Sequence, residues 1–230
     1  MTEDRYQRIY RTAPGVYSAL VACEDCDGNL LPALRSLAPL DGDLVEFGAG
    51  TGRLTRLLAP IAHSIRAFDA SPAMLVTARR CVASGPRVSF VAALNHALPT
   101  ASACADLALA GWTFGHATGW NPGGWEAEIQ RCLEELLRVL RPGGAALVIE
   151  TLGTGRTRPE PPTAALASYY AAMEARGFSR TWIRTDYRFG SRVDADRLCS
   201  AFFGTTFELQ PETGGWRLPE CTGLWTFRKG

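Results

Sequence analysis

The 230-residue sequence lacks lysine almost entirely: Lys229 is the only one among 24 basic residues, and the rest are arginines. Together with abundant alanine and glycine, this indicates the coding bias of a GC-rich bacterial genome. No apolar run reaches the roughly 18 residues of a transmembrane helix, and the first ten residues, MTEDRYQRIY, lack the apolar segment of a secretory signal. We therefore expect a cytoplasmic protein.

An excess of charge of either sign is also missing. The chain carries 24 basic and 23 acidic residues, a formal charge of +1. A nucleic-acid or membrane-surface protein normally shows a basic patch or stripe. We therefore expect neither nucleic acid nor a membrane as partner; the charge leaves the oligomeric state open.

Metal-ligand patterns are scarce. The seven cysteines are scattered and odd in number, and Cys23 and Cys26 form the only Cys-x-x-Cys pair. A single pair with neither a second pair nor a histidine couple is weak evidence for zinc. We expect free thiols and no metal.

Short apolar runs alternate with helical patterns through most of the chain. Strands are predicted over 43–48, 64–70, 87–93, 105–112 and 145–151, with helices over 52–61, 71–84 and 125–140. Such alternation predicts a parallel, doubly wound α/β sheet with helices on both faces. We expect one domain with an N-terminal helical cap over 1–40, a core over 41–152 and a substrate cap over 153–230.

The last segment, 153–230, shows a looser pattern. Helices are predicted over 163–176 and 193–203, and strands over 180–189 and 218–228, with a glycine-rich connection over 211–217. Antiparallel strands often close one edge of a parallel sheet, and we expect that arrangement here.

The first strand runs directly into a glycine-rich turn, Glu46-Phe47-Gly48-Ala49-Gly50-Thr51-Gly52. In a parallel sheet, ligands bind at the carboxyl ends of the strands, where glycines let a ligand approach the backbone. The dinucleotide fingerprint Gly-x-Gly-x-x-Gly would need glycine at position 53, and Arg53 stands there. Starting the fingerprint at Gly50 places Thr55 at the third glycine and fails as well.

Three segments in order, EFGAGTGRLT, AFDASPAML and LLRVLRPGGAALVIE, resemble the class I S-adenosylmethionine-dependent methyltransferases of the small-molecule type. The resemblance implies a Rossmann-like, mostly parallel seven-stranded sheet. It also implies that the three glycines admit the methionine part of the cofactor and that Asp69 accepts hydrogen bonds from the ribose hydroxyls. Further cofactor contacts implied by the resemblance or by position are Glu46, Ala49, Ala70, Met74, Leu94, Asn95, Gly111, Trp112, Tyr10 and Tyr17.

Leu94 occupies the position where the family usually has an acid for the adenine amino group, and the neighbouring Asn95 amide is a substitute. After the fourth strand, the aromatic segment 111–120 lies where donor and acceptor should meet. It supplies His116 as a candidate general base, since an unperturbed histidine titrates near neutral pH. Phe114, Trp120 and Tyr187 are candidate substrate-pocket residues.

The resemblance implies methyl transfer from S-adenosylmethionine to a small molecule, with S-adenosylhomocysteine as product, mainly by proximity and orientation of the reactants. Two alternatives stay open on the sequence. One is a protein that binds the cofactor without turnover; the other is an NAD(P)-dependent oxidoreductase on a related sheet.

Overall fold

The computed structural model describes residues 4–82 and 87–230. Its main sheet has seven strands in the order β3-β2-β1-β4-β5-β10-β6, parallel except for β10, which runs antiparallel to both neighbours. These strands are β1 (Asp43–Phe47), β2 (Ser64–Asp69), β3 (Val88–Ala92), β4 (Ala105–Gly111), β5 (Leu140–Thr154), β6 (Ser179–Arg184) and β10 (Glu220–Arg228). The predicted fold class is confirmed. The C-terminal part of the chain completes the sheet and includes the antiparallel strand, β10.

A smaller sheet of three antiparallel strands, in the order β7-β9-β8, stands apart from the main one. It consists of β7 (Tyr187–Phe189), β8 (Gln210–Glu212) and β9 (Gly215–Leu218). The helices are α1 (Arg5–Thr12), α2 (Pro14–Val21), α3 (Leu30–Leu37), α4 (Arg53–Leu58), α5 (Pro72–Cys81), α6 (Ala117–Trp120), α7 (Trp125–Val139), α8 (Ala164–Ala175) and α9 (Arg192–Phe203).

Local signals account for where several helices begin. The Asp4 carboxylate accepts a hydrogen bond from the Tyr6 amide at 2.8 Å and caps α1. Ser71 caps α5 in the same way, with Pro72 at the first helical position. The predicted C-terminal end of that helix, at Gly85-Pro86, lies outside the described residues.

Two apolar cores cover the faces of the main sheet. On one face the sheet packs against α7 and α8, with Leu133 and Tyr169 fully buried. On the other face it packs against α3 and α4, through Leu34 and Leu58. Strand β4 contributes to both cores, which is why it reads as apolar on both faces.

A third core unites the two ends of the chain. It joins α1 and α2 to α9 and to the small sheet, through residues such as Leu20, Phe189 and Phe202. The N-terminal cap and the C-terminal cap therefore form one structure rather than two. The segment 153–230 also supplies β10 and β6 to the main sheet, so it is interleaved with the core.

The helical region 4–40 consists of three short helices, with the interruptions at Pro14 and near Gly28 that its sequence predicts. Three other predicted elements are corrected. The strand predicted over 180–189 is two strands, β6 and β7, which belong to different sheets. The connection 211–217 contains most of the β8–β9 hairpin, and β5 extends beyond 145–151 at both ends.

Within residues 4–82 and 87–230, no helix combines the length and apolar character needed to cross a membrane. In the same ranges, no three His, Cys, Asp or Glu side chains are grouped as a possible metal site. All seven cysteines lie in these ranges and are unpaired.

Candidate functional site

The glycine-rich turn after β1 adopts backbone angles that favour glycine. Gly48, Gly50 and Gly52 have φ values of 65°, 56° and 82°. A Cβ on Gly48 would stand 2.5 Å from Thr113 Cβ, and one on Gly52 would stand 2.8 Å from Val82. Close packing within the protein therefore requires two of the three glycines.

Gly50 differs, because a Cβ there would meet only ordinary contacts, 3.5 Å from the Tyr17 ring and 3.6 Å from Met74. Its φ still favours glycine. This is the part of the turn where the backbone has room around it, and both neighbours are residues predicted to contact the cofactor.

Asp69, at the end of β2, is joined to this turn. Its carboxylate accepts hydrogen bonds from the Gly50 amide at 2.8 Å and from the Ser71 amide at 2.7 Å. Each oxygen retains a second lone pair for a ligand hydroxyl. Burial raises the pKa of Asp69, and the two backbone N–H groups lower it.

Glu46 lies inside the protein beneath the turn. Its side chain accepts a hydrogen bond of 2.5 Å from the Thr55 hydroxyl, which ties the end of β1 to α4. Burial raises the pKa of Glu46 to about 7. Glu46 therefore helps to order the turn from beneath.

Beside the turn, a cavity of about 560 Å³ opens above the carboxyl ends of β4, β5 and the start of β10. Its walls combine aromatic rings with acidic groups. The aromatic lining residues are Tyr6, Tyr10, Tyr17, Trp112, Trp120, Tyr187, Phe202, Phe203 and Phe207. The acidic lining residues are Asp4, Glu24, Glu150, Glu160 and Glu220.

Trp112 leaves β4 with a φ of 48°, in the left-handed region that a bulky residue rarely adopts. Its amide donates to the Ile149 carbonyl at 2.7 Å, which helps to hold this conformation. Its ring lies under the Arg53 guanidinium, 4.0 Å from the centroid. Arg53 Nη1 in turn pairs with Glu24 at 2.7 Å. Backbone strain of this kind is common at functional sites.

His116 lies on the cavity wall within an aromatic group. Its Nε2 is 3.0 Å from the Tyr10 hydroxyl, and its ring stacks on Trp120 at 4.6 Å. Burial lowers the pKa of His116 to about 4, so the imidazole is neutral at pH 7 and is a weak base. Because its Nε2 lies within hydrogen-bond distance of the Tyr10 hydroxyl, the neutral imidazole can orient Tyr10.

Sequence reasoning missed Glu150, Glu220 and the contribution of Arg53. Glu150 lies near the end of the strand predicted over 145–151, so its position at a strand's carboxyl end was an available signal. Glu220 begins an antiparallel strand, and no local pattern places it at the same edge. Burial raises the pKa of Glu150 and of Glu220 to about 8.

Not every predicted site residue lines the cavity. Within the described residues, the predicted cofactor contacts outside its lining are Glu46, Gly48, Ala49, Gly50, Gly52, Asp69, Ala70, Met74 and Gly111. Phe114 is buried in the core against Phe47 rather than in the substrate pocket. Leu94 is 55% exposed, and Asn95 donates to the Thr113 hydroxyl at 3.0 Å. Tyr10, Tyr17, Trp112, His116, Trp120 and Tyr187 do line it.

Residues 45–148, somewhat less than half of the chain, match the family model described as "Methyltransferase domain".

Two curated relatives match about half of the chain. It is 34% identical over 117 residues to a demethylmenaquinone methyltransferase of Clavibacter sepedonicus, covering 50% of this chain and 44% of the relative. It is 31% identical over 128 residues to a malonyl-[acyl-carrier protein] O-methyltransferase of Methylococcus capsulatus, covering 54% and 42%. The matched part is thus less than half the length of each relative.

A solved structure of a SAM-dependent methyltransferase from Aquifex aeolicus superimposes with a TM-score of 0.56. The superposition covers 94% of this chain and 98% of that one, at 15% sequence identity. This likeness shows the fold across nearly the whole chain, including the segments beyond residue 148.

Proposed function

We propose that this protein binds S-adenosylmethionine and transfers its methyl group to a small-molecule acceptor. The observation that carries the proposal is the joining of Asp69 to the Gly50 turn, directly beside a cavity of about 560 Å³. The residues present fit the cofactor: Gly50 leaves room at the backbone, and Asp69 has lone pairs for ribose hydroxyls. Met74 and Ala70 are the proposed adenine neighbours.

When bound, S-adenosylmethionine supplies a methyl group already activated by its sulfonium. The protein's main task is then to align the acceptor with that methyl group and to exclude water. The aromatic walls suit this task, because they offer an apolar surface for the acceptor. Tyr10 and Tyr17, whose ring centroids are 5.5 Å apart, close the cavity from the N-terminal side.

Where the acceptor carries a proton on its attacking atom, Glu150 is the proposed base. Its Oε1 accepts from the Gly115 amide at 2.9 Å, and its side chain lies on the cavity wall. The ionised form of a carboxyl with a pKa of about 8 is a stronger base than an imidazole with a pKa of about 4, and its population grows as pH rises toward 8. His116 is instead proposed to position Tyr10.

The proposal includes a bacterial cytoplasmic location and no nucleic-acid partner. Its support is the unpaired state of all seven cysteines, which is usual in a reducing compartment, and a formal charge near zero. The acceptor is proposed to be a small molecule because side chains of α1, α2 and α9, such as Tyr10, Tyr17 and Phe202, bound a cavity of about 560 Å³.

The test is the thermal stability of the protein with S-adenosylhomocysteine. At a hundredfold excess over Kd we expect a rise in Tm of about 5–10 °C, because a ligand that binds only the folded state stabilises it. Asp69→Ala should need at least about tenfold more ligand for the same rise, since charge-assisted hydrogen bonds are lost. The matched control is Asp196→Ala, a partly exposed position of α9 whose carboxylate pairs with Arg192.

An unchanged Tm of the wild-type protein at saturating S-adenosylhomocysteine would refute cofactor binding. Transfer of a labelled methyl group to members of an acceptor library would then separate an enzyme from a protein that binds the cofactor without turnover.

A further inference from the structure

Carboxyl groups outnumber cations in the wall of the cavity. Among the described residues, its lining holds five aspartate and glutamate side chains but two arginines. Both arginines are already paired: Arg53 Nη1 lies 2.7 Å from Glu24, and Arg156 Nη1 lies 3.6 Å from Glu160. The imidazole of His116, whose pKa burial lowers to about 4, adds no charge at pH 7. The cations of the wall therefore leave some of its carboxyl groups without a partner.

Glu150 and Glu220 are the two buried carboxyl groups left over, and they are 4% and 2% exposed. Oε1 of Glu220 accepts a hydrogen bond from the Thr151 hydroxyl at 2.7 Å. Its Oε2 is shielded from solvent and has no hydrogen-bond partner within the described residues. Buried polar atoms are nearly always paired, so Oε2 marks a point of the wall where a donor is missing.

Both carboxyl groups lie on the side of the cavity away from the glycine turn. Burial raises the pKa of Tyr170, and the negative charges of Glu150 and Glu220 raise it further, so both groups lie near this ring. Strand β10, which begins at Glu220, is separated from β1 by β4 and β5. Since neighbouring strands lie about 4.8 Å apart, the start of β10 is roughly 14 Å across the sheet from the turn after β1. A group bound there belongs to the acceptor rather than to the nucleotide.

The aromatic rings of the cavity suit an organic cation, because a cation is attracted to the face of an aromatic ring. Trp112 already holds the Arg53 guanidinium in this way, 4.0 Å from its ring centroid. Tyr10, Tyr17 and Phe202, whose ring centroids are 5.5 to 6.3 Å apart, offer a group of further rings. The wall thus combines apolar contact for a carbon skeleton with acceptors for a positive charge.

The charge of the acceptor follows from these contacts. An anionic group would be repelled by the ionised forms of Glu150 and Glu220. A hydroxyl could pair with Oε2, but it would leave the negative charge of Glu220 uncompensated. An ammonium supplies both the donor and the positive charge, and it favours the ionised form of a carboxyl whose pKa burial raises to about 8.

We propose that the methyl acceptor of this protein is an organic amine, bound as its ammonium with one N–H group on Glu220 Oε2 and methylated at that nitrogen. A rotation of the Glu220 carboxylate toward the adjoining cavity accompanies binding. The inference rests on the proposed function, because it takes from there the methyl donor and Glu150 as the base.

The transfer then balances as follows. The Glu150 carboxylate accepts one proton from the ammonium, which leaves a lone pair on the nitrogen. That lone pair forms the new N–C bond to the methyl carbon, while the C–S bond breaks and its electron pair stays on sulfur. The products are an N-methylammonium and a thioether, and Glu150 later releases its proton to water.

The first experiment compares three probes of similar size on protein loaded with S-adenosylhomocysteine. At pH 7, phenethylamine is a cation, 2-phenylethanol is uncharged and 3-phenylpropionate is an anion. Calorimetry measures Kd for each probe. We expect phenethylamine to bind at least about tenfold more tightly than the alcohol, because hydrogen bonds to charged groups are the stronger ones. 3-Phenylpropionate should bind most weakly.

The second experiment assigns the preference to Glu220. Glu220→Gln keeps the shape of the side chain and loses its negative charge, so the preference for phenethylamine over 2-phenylethanol should fall about tenfold. The affinity for S-adenosylhomocysteine should not change. The matched control is Glu134→Gln, an exposed position of α7, which should keep the wild-type preference. If Glu220→Gln melts far below the wild type, the three probes on the wild-type protein still decide the charge of the acceptor.

Phenethylamine that binds no more tightly than 2-phenylethanol, or not at all, overturns the proposal. So does Glu220→Gln if it keeps the wild-type Tm and the full preference. A loss of S-adenosylhomocysteine affinity of about tenfold in that variant also overturns it, because Glu220 would then serve the cofactor. If the wild-type protein does not bind S-adenosylhomocysteine, the proposed function fails, and the same three probes titrated into the unloaded protein decide the ammonium site alone.

Discussion

The amino edge of the seven-stranded sheet, where the parallel strands begin, and its carboxyl edge, where they end, both carry titratable side chains but hold them in opposite ways. At the amino edge, Arg141 bridges Asp43 at 2.8 Å and Asp106 at 2.7 Å, in a partly exposed cluster. At the carboxyl edge, Glu46, Glu150 and Glu220 are at least 96% buried and none of them has an arginine ion-pair partner within the described ranges.

The pKa values reflect this difference. Hydrogen bonds from Ser64 and Arg141 hold the pKa of Asp43 below its ordinary value, and those from Arg141 and the Asp43 amide do the same for Asp106. Burial raises the pKa of Glu150 to about 8 instead. The amino edge therefore holds charges that are already paired, while the carboxyl edge holds groups that a ligand or an acceptor can still engage.

The glycines at the two edges provide the strongest test of this contrast. Gly48 at the carboxyl edge and Gly143 at the amino edge both have positive φ, 65° and 79°. A Cβ on Gly143 meets nothing within 4 Å, whereas one on Gly48 clashes with Thr113. Both alanine variants should lose about 1 kcal/mol to backbone strain, and Gly48→Ala about 2 kcal/mol more to the clash.

Urea unfolding measures the free energies of unfolding of the two variants. A titration with S-adenosylhomocysteine measures their ligand affinity. Gly48→Ala should also weaken ligand binding, because moving Thr113 breaks its hydrogen bond with Asn95 and shifts the loop after β4. Equal losses for the two variants would mean that the glycine turn is not more tightly packed than the opposite edge.

Glu150→Gln gives the next largest effect, in two directions. As the proposed base is lost, the rate of methyl transfer should fall about a hundredfold for an acceptor that must lose a proton. The stability of the variant at pH 8, unlike its rate, should exceed that of the wild type. The pKa of Glu150 rises from 4.5 to about 8 on folding, so the folded form keeps a proton that the unfolded form releases. Stability of the wild type therefore falls as pH rises from about 4.5 to about 8.

Glutamine has no proton to lose, so the variant should show a shallower fall in Tm between pH 5 and pH 8 and should be the more stable protein at pH 8. Melting curves across this range measure it, with the exposed Glu134→Gln as control. A variant that keeps the wild-type rate, or one that is less stable than the wild type at pH 8, contradicts the assignment.

The sequence predicted the carboxyl edge best where its signals are local. Strand β2 was predicted over 64–70 and observed as Ser64–Asp69, and the glycine turn was located residue by residue. An apolar run followed by glycines, or a serine followed by proline, determines structure over a few residues. Such local signals place Gly50 and Asp69 at the ends of β1 and β2, where a hydrogen bond of 2.8 Å joins them.

What could not be predicted depends on contacts between distant segments. Thr185-Asp186 divides one apparent strand into β6 and β7, because the two halves pair with different partners, β10 and β9. Glu220 reaches the site only because β10 runs antiparallel between β5 and β6. Phe114 has the composition expected of a pocket residue, yet its ring packs against Phe47 in the core. Chain pairing, rather than propensity, decides these positions.

The smallest effect should come from the amino edge. Asp106→Asn removes one of the two carboxylates that Arg141 bridges, but the cluster is partly exposed and screened by water. We expect Tm at pH 7 to fall by no more than about 3 °C, with unchanged affinity for S-adenosylhomocysteine. Because the pKa of Asp106 is lowered on folding, its contribution is present above pH 3.8 and fades as pH falls further. The difference between the two proteins should therefore disappear in acid. A tenfold loss of ligand affinity in this variant would mean that the amino edge, too, serves the site, and the contrast between the edges would no longer hold.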